Sequence, residues 1–344
     1  MALLAISEQD AELSARGGAL VILVRGLPVR SIPAHEVTEV QLYGRADLTA
    51  SGRNFLLARG IDVAFFTLDG RYRGRLLGQE SLWGERRLAQ YRLLSDRRQR
   101  VQLAGQMIAG KLVNQHQILL NRQRSLQDES LADVLALLRG LAGRVREEEA
   151  DLDRLRGLEG VAAARYFGVF GKLLLNSAFR WNGRNRRPPR DPINACLSFG
   201  YTLLVSRTDA ALRATGLDPA LGLLHESIRG RPSLALDLAE EFRPMVDNLV
   251  LTLINRRQLG PEDFSPAPEG KDVDEEGEIQ EGAVYLGEVG RKILLRAWAL
   301  RLAERSPHPT RDEEWTIEGL MRAQARALRA AFEEGKPYTP ARLT

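Results

Sequence analysis

Residues 85–122, ERRLAQYRLLSDRRQRVQLAGQMIAGKLVNQHQILLNR, are where the hydrophobic period of the chain changes. Val101, Ala104, Ile108 and Leu112 recur at spacings of three, four and four, and Ile118 and Leu119 follow. That is the stripe of a long amphipathic helix or a helix pair. Its first half carries Arg86, Arg87, Arg92, Arg97, Arg98 and Arg100 against only Glu85 and Asp96. Such a run reads as a solvated face, with nucleic-acid contact as the alternative.

Upstream the pattern is that of strands. Short apolar runs at Leu3–Ile6, Ala19–Val24, Val37–Leu42 and Val63–Leu68 are separated by turn signals at Gly17-Gly18, Gly26–Pro28, Gly60 and Asp69-Gly70. Thr49 or Ser51 caps one short predicted helix through Phe55, Leu56 and Leu57, ending at Gly60. Downstream, helical segments are predicted at 131–145, 154–179, 193–211, from Ser233 to Arg257, 284–304 and 315–332. The expected fold is therefore α+β: a β-rich domain over residues 1–82, then a larger all-helical domain over 83–344. The β region has no residues at catalytic spacing, and its edge strands need pairing. A homodimer formed through it is the expected use.

At 344 residues, 44% of them hydrophobic, the chain has enough material for two cores. No apolar run approaches the ~20 residues needed to cross a bilayer, and no signal peptide opens the chain, so a soluble, unprocessed protein without membrane contact is expected. One cysteine, Cys196, forms no internal disulfide and fits a reducing cytoplasm. Residues 261–282 hold nine acids and one base, so the net charge of +4 combines an acidic loop with a strongly basic body. A basic body is the usual footprint of a polyanion binder. P-loop, dinucleotide fingerprint, nucleophile elbow and internal repeat are all absent.

Chemistry concentrates in residues 216–244, GLDPALGLLHESIRGRPSLALDLAEEFRP. His225 precedes a carboxylate cluster, Asp237, Glu240 and Glu241. At about 100° per helical residue the three acids fall on one face. Carboxylates that close stay apart in solvent or share a cation, and a nitrogen with carboxylate oxygens suits magnesium or manganese. A Cys-rich zinc or iron–sulfur site is excluded by composition. The bland alternative is a solvated acidic face with a structural histidine. Pro244 cannot donate an amide to the Glu240 carbonyl, which predicts a kink just past the acids. Glu159 sits among Gly157, Gly160 and Ala162–Ala164, with Tyr166 two turns on along the same face. A carboxylate among small residues needs a partner, and a metal shared with His225 and Glu240 supplies one. Between these segments, residues 180–192, RWNGRNRRPPRDP, form an open cationic arm with one aromatic for stacking. Its candidate phosphate contacts are Arg184, Arg186, Arg187 and Arg190.

Taken in order, LEGVAAARYF, NGRNRRPPRDPINACLSFGYTLL, GLDPALGLLHE and RPSLALDLAEEFRP resemble the CRISPR-associated protein one family, the endonuclease and integrase of spacer acquisition. The resemblance is specific from Leu158 to Pro244 and loose in the β region. It implies one Mg²⁺ or Mn²⁺ held by Glu159 of the LEG motif, His225 of the LHE motif and Glu240 of the D-L-x-E motif, with Asp237 as a supporting acid. Some members carry Asp at the last position, so Glu240 reaches one methylene further. The implied activity inserts short DNA fragments as new spacers into a CRISPR array by 3′-hydroxyl attack on a phosphodiester. The implied partners are double-stranded DNA and a small protein, CRISPR-associated protein two, with two dimers of this chain around one dimer of the partner. A stand-alone nuclease for branched or repair-intermediate DNA, and a non-catalytic DNA-binding scaffold, remain open at this point.

Changing Arg184, Arg186, Arg187 and Arg190 together to Gln is expected to weaken DNA binding and to flatten its salt dependence by up to ~0.9 in log–log slope for each duplex phosphate no longer neutralised. Binding titrations between low and moderate salt measure this. An unchanged slope assigns the arm to solvent.

Overall fold

The computed structural model describes residues 2–68, 70, 72–77, 84–126, 128–147, 151–185, 188–266 and 282–343. The boundary expected at residue 82, two of the arm residues, Arg186 and Arg187, and most of the acidic loop, residues 267–281, lie outside them. A strand-rich N-terminal region precedes a mostly helical remainder, as the change of period at residue 85 predicts. The chain divides into two compact units, one of residues 1–81, 185–203 and 259–299, the other of 82–184, 204–258 and 300–344.

In the first unit, β1 (Ala2–Ile6), β5 (Val37–Tyr43) and β7 (Asp62–Phe66) are parallel neighbours, with β8 (Tyr72–Leu76) antiparallel at the edge. A second sheet has the order β4 (Leu27–Pro33), β3 (Ala19–Val24), β2 (Ala11–Arg16), β6 (Asp47–Leu48). Both hairpins of that sheet use two-residue loops. Gly17-Gly18 and Arg25-Gly26 all have positive φ, as the twist of a tight hairpin requires. Helix α1 (Ala50–Ala58) begins at Thr49, whose side chain accepts from the Gly52 amide, as expected. Leu13, Leu20, Val40, Leu42, Leu56 and Val63 form the buried core of this unit.

In these two sheets the sequence pattern misses β2, β4, β6 and β8. β4 contains two prolines and an arginine and leaves Leu27 71% and Val29 60% exposed, so its alternation is not that of a half-buried strand. β8 is mostly polar, and its Arg75 pairs with Glu39 of β5 and with Asp62 of β7.

The second unit is organised on α3 (Arg97–Leu126), which follows α2 (Gly84–Ser95). Against α3 pack α4 (Ala132–Glu147), α5 (Leu152–Val169), α7 (Ser233–Glu240) and α8 (Arg243–Asn255). Helix α6 (Pro192–Ala214) and α9 (Glu288–Ala303) each contain a division between the units, and α10 (Ile317–Glu334) packs on α2. Two-residue strands β9 (Phe264–Ser265) and β10 (Tyr285–Leu286), and the hairpin β11 (Arg305–Pro307) and β12 (Glu314–Thr316), complete the elements. The kink expected near Pro244 is a full break. α7 stops at Glu240, and α8 starts at Arg243 with Pro244 in its first turn, where a missing amide costs nothing.

Candidate metal centre

His225 lies on an irregular loop, residues 215–228, that no helix or strand supports. Side chains hold it in place instead. Gln90 accepts from the Asp218 amide and donates to its carbonyl, both at 2.9 Å, and Arg100 and Arg156 donate to the carbonyls of Leu223 (2.7 Å) and Leu224 (2.8 Å). Arg86 donates to the Thr215 carbonyl and pairs with Glu333. Arg86 and Arg100 of the basic run are thus neither a solvated face nor free nucleic-acid contacts.

The loop is closed by Asp237. This carboxylate accepts from the backbone amides of Leu223 (2.5 Å), Leu224 (3.1 Å) and His225 (3.0 Å), and its Oδ1 lies 2.6 Å from His225 Nδ1. A carboxylate in this role accepts, so Nδ1 carries the proton, and in the neutral ring that tautomer puts the lone pair on Nε2. Gly222 makes the approach possible, because a Cβ there would lie 2.3 Å from the His225 carbonyl and 3.0 Å from Asp237 Oδ2.

The three acids expected on one face have three different sets of partners. Glu240 Oε1 accepts from Arg243 Nε at 2.8 Å, and its Oε2 lies 2.7 Å from Lys111 Nζ. Lys111 Nζ also hydrogen-bonds to Glu159 Oε1, so α3, α5 and α7 meet at one ammonium. Glu241 is turned the other way by the helix break. It accepts from the Tyr338 hydroxyl, from Gln324 Nε2 (3.0 Å) and from the Ala341 amide (2.8 Å), while Asn114 ties the Glu241 carbonyl to Ala341 and Leu343. Burial pushes the Glu241 carboxyl up to about 7 against these donors. The C-terminal segment thereby fixes the peptide next to Glu240.

Burial opposes ionisation of Glu240, but Arg243 and Lys111 hold its carboxyl well below the usual range. Lys111 is likewise buried. Burial alone would lower its pKa, and Glu240 and Glu159 more than offset that, so the ammonium is retained. Among the described residues no three His, Cys, Asp or Glu side chains already converge as a ligand set. The reason lies in the contacts above: the Lys111 ammonium stands between Glu159 and Glu240. A divalent ion nevertheless fits the donors. Glu240 Oε2 is a buried oxygen that meets no donor in good hydrogen-bond geometry, its one close contact among the described residues being the Lys111 ammonium at 2.7 Å, and two carboxylates with one imidazole are suitable ligands for Mg²⁺ or Mn²⁺.

In the arm, Trp181 is not a free stacking platform. Its Nε1 donates to the Phe167 carbonyl at 2.9 Å and its ring packs on Phe170. Asp191 caps α6 by accepting from the Asn194 amide at 2.8 Å, and Asn185 accepts from the Arg190 amide at 2.8 Å, while Arg190 itself is exposed. Lys111 is absent from the sequence-predicted residues, although it is the only Lys, Arg, Asp or Glu between Arg100 and Arg122. A lone charged side chain in the middle of a long amphipathic helical stretch is the signal that points to it.

A family profile described as CRISPR associated protein Cas1 matches residues 4–299. The chain belongs to the Cas1 family. It is 36% identical to the CRISPR-associated endonuclease Cas1 2 of Rhodospirillum rubrum, over 97% of this chain and 96% of that one. Among solved structures it is similar to a casposase bound to integration product (TM-score 0.81, 22% identity, 99% of this chain and 93% of that one), a likeness of fold alone. It is also similar to a Cas6-RT-Cas1–Cas2 complex chain (TM-score 0.78, 25% identity, 97% of this chain and 35% of that one).

Replacing Asp237 by Ala leaves three backbone amides of the His225 loop without their acceptor and is expected to cost about 3–5 kcal/mol of stability. Urea denaturation measures it. A cost below about 1 kcal/mol would show that the loop is held by other means.

Proposed function

We propose that this Cas1-family chain is a metal-dependent DNA integrase and endonuclease that inserts short foreign DNA fragments as new spacers into a CRISPR array. The observation carrying this reading is the meeting of Glu159 and Glu240 on one buried cation, with the Nδ1 of His225 held by Asp237 of the same helix as Glu240. In this reading Glu159, Glu240 and the Nε2 of His225 hold one divalent ion. When bound, Mg²⁺ or Mn²⁺ polarises the phosphodiester and stabilises the leaving oxygen.

The chain's own residues supply position and charge. Asp237 keeps His225 in the tautomer that leaves Nε2 as a donor atom, and Arg243 keeps Glu240 ionised in a buried setting. With the phosphodiester so placed, the 3′-hydroxyl of an incoming fragment attacks phosphorus. A new phosphorus–oxygen bond forms as the bond to the target strand's 3′-oxygen breaks, without a covalent protein intermediate. A water in place of that hydroxyl gives hydrolysis, the endonuclease activity named in the relatives.

Arg184, Arg186, Arg187 and Arg190 serve as phosphate contacts in this proposal. The small partner is CRISPR-associated protein two, a reading supported by likeness to the Cas1–Cas2 complex. Two homodimers of this chain flank one dimer of that partner, which supplies two active centres for two strand transfers. The exposed apolar side chains of edge strand β4 support pairing through residues 1–82. The single cysteine supports a cytoplasmic location.

The test is strand transfer of a fragment with free 3′-hydroxyls into a repeat-bearing plasmid, with the small partner and Mn²⁺ present. His225→Ala and Glu240→Gln are expected to lower both joining and cleavage at least roughly a hundredfold while circular dichroism stays unchanged. Full activity in either variant would remove the metal centre. Cleavage without joining in the unmodified protein would instead favour the stand-alone nuclease.

A further inference from the structure

Lys111 is in an unusual position for a lysine. It projects from the middle of α3, its side chain is 6% exposed, and its ammonium contacts one oxygen from each of two carboxylates on different helices. A lysine is seldom buried unless paired, and here both pairing partners are proposed metal ligands.

Glu240 divides its two oxygens between two cations. Oε1 is held by Arg243 and Oε2 faces Lys111, where it lacks hydrogen-bond geometry. Oε2 can therefore change partners while Oε1 stays neutralised. An ion ligated by both Glu159 and Glu240 would occupy the space between their carboxylates, which the ammonium already fills. Charge balance gives the same answer. Among the described residues, the carboxylates of Glu159 and Glu240 are matched by the ammonium of Lys111 and the guanidinium of Arg243, two charges of each sign. Adding a divalent ion while the ammonium stays would leave an excess of positive charge, in a buried setting where like charges are costly. The flexible four-carbon stem of lysine allows the ammonium to withdraw, unlike the planar fork of arginine.

We propose that Lys111 is a built-in competitor for the divalent ion. Its ammonium holds Glu159 and Glu240 together in the metal-free protein and must leave them before both can ligate one ion. This rests on the metal-centre reading above, and it assigns Lys111 a positioning role in assembling the centre.

The experiment is a Mn²⁺ titration of the full-length protein, free Mn²⁺ being followed by electron paramagnetic resonance, with Glu240→Gln as the control for the site. Lys111→Met removes the competitor, so Mn²⁺ is expected to bind roughly tenfold more tightly than to the unmodified protein. The metal-free variant should melt at a lower temperature, and saturating Mn²⁺ should raise its Tm by more than it raises that of the unmodified protein. Lys111→Arg keeps the charge and grips both carboxylates through two nitrogens. It should bind Mn²⁺ roughly tenfold more weakly, and it carries the test alone if Lys111→Met does not fold. Equal Kd in the unmodified protein and both variants would overturn this inference while leaving the metal centre standing, as would weaker binding by a folded Lys111→Met. Absence of site-specific Mn²⁺ binding in the unmodified protein would overturn the metal-centre reading, and this inference with it.

Discussion

The arrangement depends on one buried carboxylate. Asp237 gathers three successive backbone amides and a ring nitrogen from a loop that has no regular structure of its own. The other supports of that loop, from Gln90, Arg100 and Arg156, fix its carbonyls, while Asp237 fixes its amides. Together they pair the amides of Leu223, Leu224 and His225 and the carbonyls of Asp218, Leu223 and Leu224, and an irregular segment is stable in a partly buried place only when its backbone groups are paired. Because Asp237 and Glu240 share one short helix, the same element that orients the imidazole also delivers the carboxylate.

Charge is the second constraint. Three acids in a buried setting would repel one another unless compensated, and each is compensated by a different means. Asp237 is surrounded by amides, Glu240 lies between Arg243 and Lys111, and Glu241 accepts from neutral donors of the C-terminal segment. The break between α7 and α8 separates them. Beyond it, Glu241 turns to the donors of the C-terminal segment instead of sharing those of Asp237. Pro244 in the first turn of α8 is thus a cause of the site's geometry.

Much of the fold is legible in the sequence because periodicity is local. The shift at residue 85, the cap at Thr49 and the break near Pro244 follow from residues within a few positions of each other. The proposed ligands Glu159, His225 and Glu240 stand out through motifs and a family resemblance, and the structure brings Glu159 and Glu240 to one ammonium. What escapes is set at long range. Lys111 is separated from its acid partners by the whole of α4 and more. The turn of Glu241 toward Tyr338 depends on a tail nearly a hundred residues downstream, and Trp181 is occupied by Phe167 and Phe170 instead of standing free in the arm. β4 is hidden for a different reason, since its exposed apolar side chains and prolines break the alternation from which strands are read.

The central claim is that Glu159, His225 and Glu240 hold one divalent ion. Anomalous diffraction from crystals equilibrated with Mn²⁺ tests it most directly. The account predicts one strong peak per chain, in contact with a carboxylate oxygen of Glu159, the Nε2 of His225 and the Oε2 of Glu240. A saturated crystal with no peak at these side chains, or with the ion held by other residues, would contradict it.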